Sequence, residues 1–156
     1  MRGNITKAVA AFAPLLAIGV AGTYPASADS FVSVRGKCQK IVYGRDNLTP
    51  YCKPAMVSST FGPNNVLFHW ALIDGMLLTV ASTDLPNPSA HSDATKITHL
   101  SIKGGAISAN ATVAATGKCT FGDPYKGKTT ISCKGKAGGK RFEFVFQTDG
   151  RKPKEH

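Results

Sequence analysis

Several motifs that would announce a chemistry are missing from this chain. There is no Gly-x-Ser-x-Gly elbow, no Ser-x-x-Lys, no His-Glu-x-x-His and no glycine-rich phosphate loop, so the standard hydrolase and nucleotide-binding readings lose their usual warrant. Close cysteine pairs of the Cys-x-x-Cys kind are missing too, which removes the common zinc and redox spacings. Glutamate is scarce, with Glu143 the only one ahead of the tail. Between Pro54 and Thr95 there is neither lysine nor arginine. Sustained apolar spacing of three and four is absent as well, which argues against helices.

What is present begins with the layout of an export signal over residues 1–28. Arg2 and Lys7 precede an apolar run from Ala8 to Gly22, and Ala26-Ser27-Ala28 forms a small-residue cleavage site before Asp29. The run is interrupted by Pro14 and Gly19 and is shorter than the roughly 20 residues of a spanning helix. No cysteine follows it to carry a lipid, and no later segment could span a bilayer as a helix. The expectation is a cleaved leader, an exported chain in the periplasm or outside the cell, one β domain over residues 29–150, and a disordered basic tail over 151–156.

Charge is unevenly placed. The whole chain carries 19 Lys and Arg against 9 Asp and Glu, and from Gly117 onward ten basic residues face four acidic ones. A basic part of this kind favours encounter with polyanions such as nucleic acid, anionic lipid or acidic envelope polysaccharide. The run "KGKAGGKR" has no stacking aromatic, and no nucleic-acid module is recognisable. Lys126, Lys128, Lys134, Lys136, Lys140 and Arg141 are the candidate contact residues for an anionic polymer or envelope surface.

Glycine and threonine punctuate the chain every eight to twelve residues, the rhythm of an all-β domain. Strands are expected at Phe31 to Val34, Gln39 to Tyr43, Met56 to Thr60, Val66 to Ile73, Met76 to Ala81, Lys96 to Lys103, Ala111 to Ala115, Lys128 to Cys133 and Arg141 to Gln147. About nine short antiparallel strands imply a sandwich or a small barrel. Asp74-Gly75 predicts a two-residue type I′ hairpin between two runs apolar on both faces. Phe142, Phe144 and Phe146 alternate with polar neighbours and are expected core anchors. Pro86 and Pro88 predict a loop without regular structure from Ser82 to Ala94.

The cysteines lie in two similar stretches, "GKCQKIVYGRDNLTPYCK" and "GKCTFGDPYKGKTTISCK". An even count in a small exported chain predicts a disulfide framework, and the local pairing Cys38 with Cys52 and Cys119 with Cys133 closes two short loops. A bridge between directly opposed residues needs a turn centred midway. The first stretch offers Gly44-Arg45-Asp46 at the right place, whereas the second needs a bulge or a longer loop beyond Asp123-Pro124.

The sequence implies no cofactor and no metal; His91, Asp93 and His99 are too loosely spaced to read as a ligand set. The favoured role is a non-enzymatic binding or structural module with a basic C-terminal surface. One alternative is a small ribonuclease-like hydrolase acting on an anionic polymer, with His69, Glu143 and Lys140 or Arg141 as its catalytic group. The other is an inhibitor of a secreted enzyme, presenting the loop Asn47 to Tyr51 or Asp123 to Gly127.

Overall fold

A computed structural model describes residues 30–104 and 111–156; the expected leader and its cleavage site lie outside the described residues. The chain is all-β. Its strands are β1 (Ser30–Tyr43), β2 (Asp46–Asn47), β3 (Cys52–Phe61), β4 (Asn65–Leu72), β5 (Leu77–Ser89), β6 (Ser92–Lys103), β7 (Ala111–Gly122), β8 (Thr130–Ala137), β9 (Lys140–Thr148) and β10 (Lys154–Glu155). Successive long strands pair antiparallel from β3 to β9, and β1 pairs with both β3 and β9. The result is an eight-stranded barrel with β2 and β10 as additions. Closure through β1 pairs each long strand with two neighbours along the ring.

β1 makes closure possible by changing partners halfway. Ser30 to Arg35 pair with β3, and Gly36 to Tyr43 pair with β9. The hinge is Gly36, where a Cβ would lie 2.0 Å from the Gln147 carbonyl oxygen, so only glycine allows this approach. A bulge between Cys38 and Lys40 then restores the alternation, turning Lys40 outward and Ile41 inward.

Period-two alternation fills the interior. Phe142, Phe144 and Phe146 all point inward, joined by Phe68, Trp70 and Leu72 of β4 and Leu78 and Val80 of β5. Trp70 packs edge-on against Phe144 with ring centroids 5.4 Å apart, and Phe68 packs against Phe121 at 5.2 Å. This aromatic layer occupies the middle of the barrel, as expected where eight strands leave room for side chains and little else.

The β4–β5 hairpin differs from the expected two-residue turn. Leu72 N–H donates to the Met76 carbonyl, leaving three loop residues, Ile73, Asp74 and Gly75. Only Gly75 is left-handed (φ 84°), while Asp74 instead accepts from Met76 N–H through its carboxylate. That is the pattern of a three-residue hairpin loop with glycine in the left-handed position. The two apolar runs also face differently from the expectation of cover on both sides: the inner residues are buried, and Leu67, Ala71, Leu77 and Ala81 are half-exposed on the barrel's outside.

Two segments expected to lack regular structure are strands. Pro86 and Pro88 lie within β5, beyond Thr83, the last residue paired to β4, and the β5–β6 ladder skips from Leu85 to Ser89. Here the missing N–H groups fall where no ladder bond is required, the one strand setting proline tolerates. The tail folds back as β10, with Lys154 opposite Ser33 and Glu155 opposite Val32. β9 ends opposite Gly36, so the N-terminal half of β1 would otherwise present an open edge.

Candidate functional site

Both disulfides are the local pairs, Cys38–Cys52 and Cys119–Cys133. The second pair has the longer loop that its register was expected to need, whereas the first is not the directly opposed pair that its centred turn implied. Cys119 and Cys133 are directly opposed, with Cα atoms 4.0 Å apart, because seven residues including a 3₁₀ turn at Pro124–Lys126 give the longer loop their register needs. Both cysteines point into the barrel and are fully buried. Cys38 instead lies opposite Phe146, and Cys52 opposite Leu72. Their bridge, with Cα atoms 6.2 Å apart, fastens β1 to the start of β3 across the irregular segment between them.

The outward faces of β6 to β9 and the C-terminal half of β1 gather positive charge by register. Lys96 is opposite Lys118, Lys118 is opposite Lys134, and Lys134 is opposite Glu143. Two residues along, Lys136 is opposite Arg141. Strands spaced about 4.8 Å apart put these side chains in two transverse rows about 7 Å from each other. Glu143 takes Lys134 at 3.0 Å and also Lys40 of β1 as ion-pair partners. The hydrogen bonds from Lys40 and then Lys134 hold its carboxyl below the usual glutamate range. Lys96 and Lys118 have no such partner among the described residues. Like charges directly opposed across strands oppose folding, so this arrangement is not what stability alone would select.

The six sequence candidates for anion contact therefore separate. Lys134, Lys136 and Arg141 share the two rows. Lys126 and Lys128 lie beyond the far end of β8, Lys128 beside a groove with Arg35 and Lys37. Lys140 sits at the opposite end of the barrel, its ammonium 5.2 Å from the centre of the Tyr43 ring. Lys96 and Lys118 join the first row, and Lys40, opposite Val145, reaches Glu143 from beside it, although the sequence reading passed over all three. Counting strand positions from the Cys119–Cys133 register would have found Lys118; Lys96 required knowing that β6 pairs β7.

His69 faces outward on β4, half-buried, with Nε2 3.1 Å from Ser59 Oγ and Nδ1 2.9 Å from Thr79 Oγ1. Burial lowers its basicity. β3 and β1 intervene between β4 and β9, so the structure does not bring His69 to Glu143, Lys140 or Arg141. Glu143 is itself committed to two lysines, a poor setting for a proton acceptor. Among the described residues no group of three or more His, Cys, Asp or Glu side chains could hold a metal ion.

The second large concavity is the barrel end formed by the β1–β3 connection, the β4–β5 loop and the starts of β7 and β9. It is an open-sided hollow of about 640 Å³, with Tyr43, Leu48, Tyr51, Met76 and Ile102 as its apolar lining. No helix among the described residues is long and apolar enough to cross a membrane. Comparison with protein-family models, with curated proteins and with solved structures gave no match.

Proposed function

We propose that this is an exported, non-enzymatic binding module that holds an anionic polymer on the outward face of β6 to β9. The observation that carries this reading is the unbroken cross-strand row Lys96, Lys118, Lys134, flanked by Lys136, Arg141 and Lys40, with Glu143 as the carboxylate among them. A polyanion laid across the strands relieves the repulsion between opposed ammonium groups and releases its own counterions. The face has no Phe, Tyr or Trp side chain on which bases could stack, only the imidazole of His99 at the β6 margin, which favours an acidic polysaccharide over single-stranded nucleic acid. Two disulfides and a leader-like N-terminus support an oxidising destination.

The test is retention on immobilised polygalacturonate, with single-stranded DNA as a comparison matrix. Retention should fall steeply with salt and drop when Lys96, Lys118 and Lys134 are changed together to Gln. Lys126→Gln with Lys128→Gln should change it little. Retention that ignores the row, or that follows total charge wherever it is removed, would defeat the proposal.

A further inference from the structure

We infer that the barrel end beside the β1–β3 connection binds a monomeric long-chain carboxylate, with its chain in the cavity and its head group at Arg45 and Lys140. This does not rest on the polyanion reading, since the cavity and the lysine row are different surfaces. The volume of about 640 Å³ falls within the roughly 300–1,000 Å³ of small-molecule sites, and barrel mouths are a favoured place for them. The aromatic layer fills the middle of this barrel, so a ligand can enter only at the end. Leu48, Met76 and Ile102 offer a surface that takes up a hydrocarbon chain without specific polar demands.

The polar groups at this end select the head group. Arg45 and Lys140 line the cavity with a single carboxylate, Asp46, between them in count, which leaves a net positive mouth. Arg45 and Lys140 have no ion pair among the described residues, and the Lys140 ammonium, 5.2 Å from the centre of the Tyr43 ring, makes a cation–π contact that leaves its N–H donors open to an anion. Tyr51 and Ile73 are among the few large apolar side chains left exposed, at 50% and 64%, and Tyr51 C=O accepts from Ile73 N–H, so both stand at this same rim. An apolar cavity with an apolar rim and unpaired cations fits an amphiphile better than a polar solute.

The cavity wall is also rigid before any ligand arrives. Leu48 N–H donates to the Ile41 carbonyl at 2.7 Å, and Ile41 N–H donates to Thr49 Oγ1 at 2.8 Å. Thr49 N–H donates to Asn47 Oδ1, and the 3₁₀ turn Thr49–Tyr51 leads directly to Cys52, which is bonded back to Cys38. The first disulfide thus holds in place the segment that supplies Arg45, Leu48 and Tyr51. A wall fixed in advance spares a ligand the ordering of that loop.

Trp70 is the sole tryptophan and lies in the same inward transverse row as Ile102, through Leu78, so energy transfer from it reports occupancy. The probe is 1-anilinonaphthalene-8-sulfonate, displaced by dodecanoate below its micelle concentration, with dodecanol and dodecyltrimethylammonium as comparators. Saturable displacement by dodecanoate, one per chain, is expected. Arg45→Gln and Lys140→Gln should each weaken dodecanoate about threefold, as partly exposed ion pairs do, and leave dodecanol unchanged. Cys38→Ala with Cys52→Ala should weaken both chains alike while the far-ultraviolet spectrum stays that of a folded barrel. Absence of saturable dodecanoate binding by folded protein, or equal loss of dodecanol in the two charge variants, would overturn the proposal. So would co-sedimentation with phosphatidylglycerol vesicles without displacement of the probe by dodecanoate, because that would make this end a bilayer-docking surface.

Discussion

Lys118 is where the charge arrangement makes its sharpest demand. It stands directly between Lys96 and Lys134, so it has two like-charged neighbours across adjacent strands. Ammonium groups splayed to about 7 Å repel by about 0.6 kcal/mol per pair in water, and 0.1 M salt removes about half of that. Lys118→Gln should therefore stabilise the folded protein by about 0.5–1 kcal/mol at low ionic strength, a rise of about 2–5 °C in Tm for a domain of this size. The gain should shrink toward zero at about 1 M salt, where the screening length is about 3 Å. Paired urea titrations at 20 mM and 1 M sodium chloride read the effect, and retention on polygalacturonate measures the binding that is given up. A variant that is less stable at low salt, or whose gain does not change with salt, would refute the claim that the row is electrostatically strained. A rise in stability with unchanged retention would count equally against a binding role for the row.

Three further outcomes follow from the packing and the titrating groups. Phe144→Ala should cost about 3–5 kcal/mol and shift Trp70 fluorescence to the red, because it removes the ring packed against the indole at the barrel centre. Replacing Cys119 and Cys133 with Ala should cost about 3 kcal/mol, the value for closing a loop of this length, and peptide mapping without reductant should recover the two local pairs in the wild type. His69 is held neutral by burial, so its folded-state pKa lies below its unfolded one; the stability it contributes is present above the unfolded value of 6.5 and is lost as pH falls through the folded value. His69→Gln should flatten the wild type's loss of stability over that window, and an NMR titration of the His69 ring should show its low midpoint directly.

The difference between what could and could not be anticipated is one of range along the chain. Alternation in "RFEFVFQTDG" placed three phenylalanines inward because a strand's period is two wherever the strand lies. The cysteine pairing could be expected from loop length and even count, and the Asp74-Gly75 turn was visible as a turn, though its type was not. Proline, by contrast, is an ambiguous signal: it breaks a central strand, but Pro86 and Pro88 sit beyond Thr83, where β4 no longer runs alongside. No local pattern could show that.

The candidate site shows the same division at greater cost to prediction. Counting basic residues from Gly117 onward located the charge, but sequence proximity grouped Lys140 with Lys136 although the strand turn sends them to different surroundings. Lys96, about twenty residues before Lys118 and far outside the basic stretch, enters the row only because β6 and β7 align in that register. Residue types and their alternation follow from local chemistry, so composition, strand content, core phenylalanines and the local disulfides were legible in the chain alone. Which cations face one another, and that the segment closed by the first disulfide walls a cavity, depend on ladder hydrogen bonds between distant strands and on barrel closure through β1, which no stretch of neighbouring residues encodes.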